Sequence, residues 1–570
     1  MLPPEIMRIV LLVGLAVTGY MIILAWTDDR QAMRAPIEYS DRPVVSSDIV
    51  ADAPIDTTNQ PVVGASESMT LSDVPDASML SEQPVLVAPA AETERLSGRL
   101  VQVTTNALNV WIDLEGGDIV RVQLKHYPVS LEQMSVPYQL LERSVARTYV
   151  AQSGLIGPHG PDSQGRPVYQ VRQSMYEISQ GEKEVVLTTV HEGVPVKKVY
   201  TFRADDHLMD VRYEMTNSTD STMRAAIFSQ IKRDARPPAA DESFSLGMQA
   251  FVGAALTTPE ERYLKVEFED VDEGRIEHRV DGGWIAFLQH YFLAAWVSPE
   301  GQANRFFAKK AGGNYFFGFT GPPVDVAPAS TGIWQAQFYA GPKDQKRLEE
   351  ISPNLNLTID YGFLWWLAIP LFALLDWLHG LVGNWGLAII MLTIVVKAVL
   401  YPLSAAGYKS MANMRRVAPQ MKKIQERYAN DRERLSKEMM GLYKKEGANP
   451  LGGCLPMLLP MPIFIALYWV LFESVELRLA PFMFWIEDLA QMDPYFVLPL
   501  LMGASTYYMQ SLNPQVGDPM QQKMMKMMPI MFTVLFLFFP AGLVLYWLVN
   551  NVLSIAQQQF VYRQAEKAQA

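Results

Sequence analysis

Lys397 lies six residues before Leu403, near the end of an apolar run that opens at Asn384. On a helix rising about 1.5 Å per residue, that places an ammonium roughly 9 Å from the nearer end. A lysine at such a depth either snorkels to the surface as an anchor or serves a function. Its neighbours favour function. Thr393, Lys397, Tyr401 and Ser404 follow at i, i+4, i+8 and i+11, and so share one helix face. Tyr546, Asn550, Ser554 and Gln557 repeat that stripe in the last apolar segment, and Thr506 with Gln510 gives a shorter one. Three polar stripes in otherwise apolar segments imply a shared wet groove carrying one positive charge. Met457, Met461, Phe464, Met531, Phe532 and Phe536 offer the complement, adaptable apolar surface that accepts many sequences, although ordinary lipid-facing packing accounts for them equally.

Other chemistry is sparse. The histidines at 126, 159, 191, 207, 278 and 290 are scattered, and His191-Glu192 lacks the second histidine that a zinc-binding helix needs. The sequence has no phosphate-cradling glycine loop and no nucleophile elbow, so no metal, no cofactor and no enzymatic activity are expected. Cys454 is the single cysteine, which excludes an intramolecular disulfide. The net charge of −12, with no basic tract in the acidic first part, makes DNA an unsuitable partner.

The elements that must position these residues fall into blocks. Residues 9–26 carry no charge, follow Arg8 and precede Asp28 and Asp29, so 1–26 reads as an uncleaved transmembrane anchor with its N-terminus in the cytoplasm. Residues 27–95, rich in Pro, Ser and Asp with Tyr39 as the one aromatic, read as a disordered linker. From 96 to 345 short alternating runs recur. Residues 107–114 and 119–124 flank the turn Glu115-Gly-Gly-Asp118, and 185–190, 197–202 and 208–215 follow. Many strands with no long helical pattern between them predict an all-β sandwich. Residues 346–383 form a connector and an interfacial amphipathic helix, marked by Trp365, Trp366, Asp376, Trp377 and His379. Spans are expected at 384–403 and, within 449–560, at 453–472, 495–511, 524–539 and 542–560, the last two separated at Pro540-Ala541-Gly542.

Between them, 404–448 is a basic helical hairpin turning at Asn430-Asp431, with methionines and leucines on one face of each half. Arg415, Arg416, Lys422, Lys423 and Arg427 are its candidate recruitment residues for ribosomal RNA or nascent chains; fixing topology is the plainer role for the same charge. Six spans in all put every basic segment, including the tail 561–570, on the inside and every acidic one outside.

Leu392-Thr-Ile-Val-Val-Lys-Ala-Val-Leu-Tyr-Pro-Leu403, Asn449-Pro-Leu-Gly-Gly-Cys-Leu-Pro456, Met461-Pro-Ile-Phe464, Asp518-Pro-Met-Gln-Gln522 and Phe539-Pro-Ala-Gly-Leu-Val-Leu-Tyr546 closely resemble the YidC/Oxa/Alb membrane protein insertases. The first span, linker and large sandwich resemble the Gram-negative form, whose sandwich is similar to the galactose-mutarotase-like supersandwich. Lys397 stands where the family often has arginine, and Pro460 where a polar glutamine is common. The resemblance implies a polytopic α-helical protein of the bacterial inner membrane, with both termini cytoplasmic and the β-domain periplasmic. It further implies insertion of nascent membrane proteins, alone or beside the Sec translocon and its accessory subunits, with the ribosome and membrane lipids as further partners. Two rivals remain. A small-molecule transporter or channel usually has repeated halves, and none is seen; an anchored sugar receptor would reveal itself by ligand-dependent melting of the sandwich.

Overall fold

The computed structural model describes residues 99–236, 250–428, 431–446, 460–512 and 519–567. The expected anchor and linker, Met457 and the 449–456 motif lie outside the described residues.

Alternation of apolar and polar side chains builds the first domain. Leu100–Thr105 is buried at every second residue, and Val194–Arg203 and Leu208–Thr216 follow the same two-residue period. The strands form an eleven-stranded and a nine-stranded sheet, antiparallel apart from the pairing of Leu100–Thr105 with Met175–Ile178. In the larger sheet Met223–Arg233 runs between Thr148–Ile156 and Asn314–Thr320; in the smaller, Leu208–Thr216 runs between Val194–Arg203 and Thr331–Pro342. Their inner faces share one apolar core, with Val103, Val110, Leu187, Tyr213, Phe287 and Phe317 among its buried members. The turn after Asp113 places Gly116 and Gly117 at φ of +73° and +61°, a region open to glycine at little cost. Its carbonyls are used. Gly116 O accepts from Lys198 Nζ at 3.1 Å and Arg166 Nη2 at 3.0 Å. Arg166 also pairs with Asp118 and, at 2.5 Å, with Asp162, so a buried ion cluster is closed by its own members.

The second region is helical: α1 (Trp365–Val382), α2 (Trp385–Val399), α3 (Tyr401–Arg427), α4 (Arg432–Glu446), α5 (Pro460–Glu473), α6 (Val497–Ser511), α7 (Pro519–Phe536) and α8 (Ala541–Lys567). Asn384 caps α2, its Oδ1 accepting from Leu387 N at 3.0 Å. Helices α2 and α3 meet at a 68° bend, with Pro402 in the first turn of α3. The basic segment therefore folds as α3 and α4, closed by Met414, Val417, Met421 and Leu442. Chain reversal at Pro540 separates α7 from α8, where Ala541 N donates to Gln491 O at 2.7 Å.

Sandwich and helices are joined by a continuous apolar cluster. Trp284, Leu293 and Tyr339 of the smaller sheet belong to it together with Leu371, Leu375, Leu467, Leu471 and Leu489. Polar contacts reinforce the junction: Lys343 Nζ to Glu473 at 3.1 Å, His290 Nε2 to Phe472 O at 2.8 Å, and Arg478 Nη2 to Val129 O at 2.7 Å.

By length and composition, Gly362–Val382 is able to cross a membrane, where the sequence pattern predicts an interfacial helix. Two of the polar side chains behind that reading are occupied internally. Asp376 pairs with Lys346 at 3.1 Å, and the His379 ring stacks on Trp385 at 3.9 Å. Exposed Trp365, Trp366, Trp377 and Leu381 leave a largely apolar outer face.

Candidate functional site

Helix α8 packs against α2, α3 and α6, and the polar stripes converge along it. Lys397 on α2 is 5% exposed, and its Nζ donates to Ser554 Oγ on α8 at 2.7 Å. Ser554 Oγ in turn donates to Asn550 O at 2.7 Å. Among the described residues no carboxylate lies within ion-pair distance of Lys397, so a hydroxyl is its polar partner and its charge has no counterion. Lys397 is thus enclosed against α8, at the place where the stripes imply a wet groove.

The remaining groove candidates divide. Thr393 is buried and donates back to Ile389 O at 2.7 Å. Thr506 is buried and donates to Met502 O at 2.8 Å, and Gln510 Nε2 donates to Met525 O at 2.9 Å, tying α6 to α7. Tyr546 and Asn550 are buried in the α8 interface. Tyr401 departs from the stripe. It follows the bend after Val399, which breaks the 3.6-residue register, and is 37% exposed. Ser404, farther along, is buried again.

Sequence reasoning missed Asn551. It is fully buried, and its Nδ2 donates to Thr506 Oγ1 at 2.8 Å and Ser505 Oγ at 3.0 Å, while its Oδ1 has no partner. The signal was the Asn550-Asn551 pair: adjacent residues on a helix point about 100° apart, so they address different neighbours. Gln558, also missed, is buried and donates to Tyr562 Oη at 2.9 Å.

The apolar candidates are not one open surface. Phe464, Phe532 and Phe536 form a ring cluster with Trp547, Phe464 at 4.7 Å and Phe536 at 5.6 Å from its centroid. Phe536 is buried there, packed among these rings. Phe464, Phe532 and Met461 are half-buried, while Met531 is exposed on α7 beside Met524, Met527 and Ile530. Pro460 is buried in the first turn of α5. Arg415, Arg416, Lys422, Lys423 and Arg427 are all exposed on α3. Arg416 pairs with Glu446 of α4 at 3.1 Å, and Arg415 lies 5.8 Å over the Tyr562 ring. Among the described residues no group of three His, Cys, Asp or Glu is placed to hold a metal.

Comparison with known proteins gives two family matches: 60Kd inner membrane protein over residues 377–568 and YidC periplasmic domain over residues 100–374. A protein of Azotobacter vinelandii named membrane protein insertase YidC is 45% identical, covering 99% of both chains. Its namesake in Pseudomonas fluorescens SBW25 is 45% identical with the same coverage, and that of Marinobacter nauticus is 44% identical over 99% of this chain and 98% of its own. Among solved structures, an active YidC insertase with its first transmembrane domain resolved aligns at 18% identity over 81% of this chain and 92% of its own, TM-score 0.36. YidC of Thermotoga maritima aligns at 15% identity over 83% and 99%, TM-score 0.31.

Proposed function

The chain belongs to the YidC family of membrane protein insertases, a non-enzymatic role, and we propose that it acts through the buried cation at Lys397. The observation that carries this reading is an ammonium buried between α2 and α8 whose partner is a serine hydroxyl, with no carboxylate among the described residues within ion-pair distance. Desolvating a charge without a counterion is costly, and that cost is relieved when a mobile acidic group arrives. Parting of α2 from α8 on the cytoplasmic side admits water and the polar segment of a nascent membrane protein. A unit pair at 4 Å contributes about 4 kcal/mol at an effective dielectric near 20, enough to hold that segment briefly.

The apolar span of the client then partitions into lipid along α5 and α7, where Met531, Met524 and Met527 are exposed. Helices α2 and α6, each of 15 residues, measure about 22 Å against a hydrocarbon core of about 30 Å, so the bilayer thins around them and shortens the crossing. In this reading the chain sits in the bacterial inner membrane with six spans, both termini in the cytoplasm. The exposed arginines and lysines of α3 face the ribosome, and the Sec translocon with its accessory subunits is a partner for some clients. The drive is client burial with a contribution from the membrane potential.

The test is depletion-rescue in cells lacking the resident insertase. Lys397→Arg, which keeps the charge, is expected to restore insertion. Lys397→Glu is expected to fail for clients with acidic translocated segments. Equal rescue by both at equal expression refutes the role of the charge.

A further inference from the structure

Within the larger sheet, Tyr149 and Arg233 stand opposite each other on neighbouring antiparallel strands. Arg147, immediately before the strand, is close enough to act electrostatically on both, and the Thr148 N–H between them donates to Asp234 Oδ2 at 2.7 Å. Two guanidinium groups, each with five N–H donors, and one phenol hydroxyl therefore converge.

They are not satisfied. Arg233 is fully buried, stacked 4.2 Å from the Phe287 centroid and 5.0 Å from that of Tyr149. Its Nε and Nη2 donate to Asp234 O at 3.2 Å and Arg236 O at 2.6 Å, but Nη1 has no partner. Arg147 Nε and Nη2 and the Tyr149 hydroxyl are likewise out of contact with water and unpartnered. Among the described residues no carboxylate is within ion-pair distance of either guanidinium. Asp234, the nearest in sequence, spends both oxygens on the backbone N–H groups of Thr148 and Arg236. Burial, with Arg147 adding to it, pulls the Arg233 guanidinium down to about 10.

Buried donors left unmade are rare because each forfeits its hydration, and two guanidinium groups sharing one site repel as well. Four unpartnered atoms of donor character in one place have a common remedy. We propose that Arg147, Tyr149 and Arg233 form an oxyanion site that takes a carboxylate or phosphate group. Planar guanidinium forks match such groups with paired N–H contacts, and the tyrosine hydroxyl adds a third direction. Access runs past the hairpin 144–147, whose tip is open at Val145, 96% exposed, and whose closure rests on Ser144 and Arg147 bonding one another at 2.9 and 3.1 Å.

The experiment is thermal unfolding of the full chain in detergent with rising sodium phosphate in one arm and sodium acetate in the other, sodium chloride holding ionic strength constant. A saturable rise in Tm is expected in at least one arm. Phosphate alone assigns a phosphoryl ligand, acetate alone a carboxylate, and both an oxyanion of either kind. Arg147→Gln is expected to weaken the apparent affinity about tenfold or more, the worth of a charged hydrogen bond, and Tyr149→Phe, which keeps the ring, by a smaller factor. No saturable rise in either arm, or wild-type affinity in both variants, overturns the proposal.

Discussion

The junction between sandwich and helices rests on a buried ion pair whose removal has a defined cost. Lys343, at the end of the last strand, and Glu473, at the end of α5, meet at 3.1 Å with side chains only 2% and 4% exposed. Aromatic rings flank the pair, His290 stacking on Tyr291 at 3.9 Å and lying 4.4 Å from the Phe472 ring, and the Lys265–Asp360 ion pair is nearby. Lys343→Met keeps the length of the side chain but strands a buried carboxylate, which costs about 3–5 kcal/mol. The double variant Lys343→Met/Glu473→Leu leaves no charge behind, and replacing both ions by apolar groups is often neutral or stabilising. The expected order in thermal unfolding of the detergent-solubilised chain is therefore the single variant far below wild type, with the double variant recovering most of the loss. Limited proteolysis at the junction is expected to follow the same order. If Lys343→Met lies within about 1 kcal/mol of wild type, or if the double variant is no better than the single, the pair is not what holds the two regions together.

Asn551→Ala removes both hydrogen bonds from α8 to α6 and should cost about 1 kcal/mol, the usual worth of such contacts between spans, while Asn550→Ala costs less; equal thermal shifts would contradict the geometry. Arg166→Met strands Asp118 and Asp162 inside the sandwich and is expected to cost about 3–5 kcal/mol in thermal unfolding, a wild-type midpoint counting against the ion cluster as a unit. Burial holds His207 down to about 4 from an ordinary 6.5, so the folded chain resists a proton that the unfolded chain accepts. Its contribution is complete above pH 6.5 and is lost as pH falls from 6.5 toward 4, so wild type should lose stability relative to His207→Asn over that window; a pH-independent difference would refute this. The amides of α4, a largely exposed helix held to α3 through Met439, Leu442, Tyr443 and the Arg416–Glu446 pair, should exchange hydrogen faster than those of α2 and α8, and equal protection would show a rigid hairpin.

Where physics acts within a short stretch, the residues announced their structure. Val211, Tyr213 and Met215 alternate with Asp210, Arg212 and Glu214 because a sheet buries every second side chain, and that period survives any tertiary arrangement. The glycines at 116 and 117 marked their turn for the same local reason. Stripe arithmetic assumes an unbroken helix and one partner per face, and the helices depart from both assumptions. Lys397 and Ser554 meet as their stripes require, but the bend at Leu400 carries Tyr401 off the shared face. On α8 the stripe through Asn550 and Ser554 addresses α2, while Asn551, one residue over, addresses α6. A single helix thus serves two polar partners, and a period read along one strip of it finds only the first. The junction at Lys343 and Glu473, 130 positions apart, and the oxyanion site at Arg147 and Arg233 depend on long-range closure of the fold. No local spacing encodes those encounters, and a lone lysine or arginine in a strand reads as a solvated charge until its partner, or the lack of one, is seen.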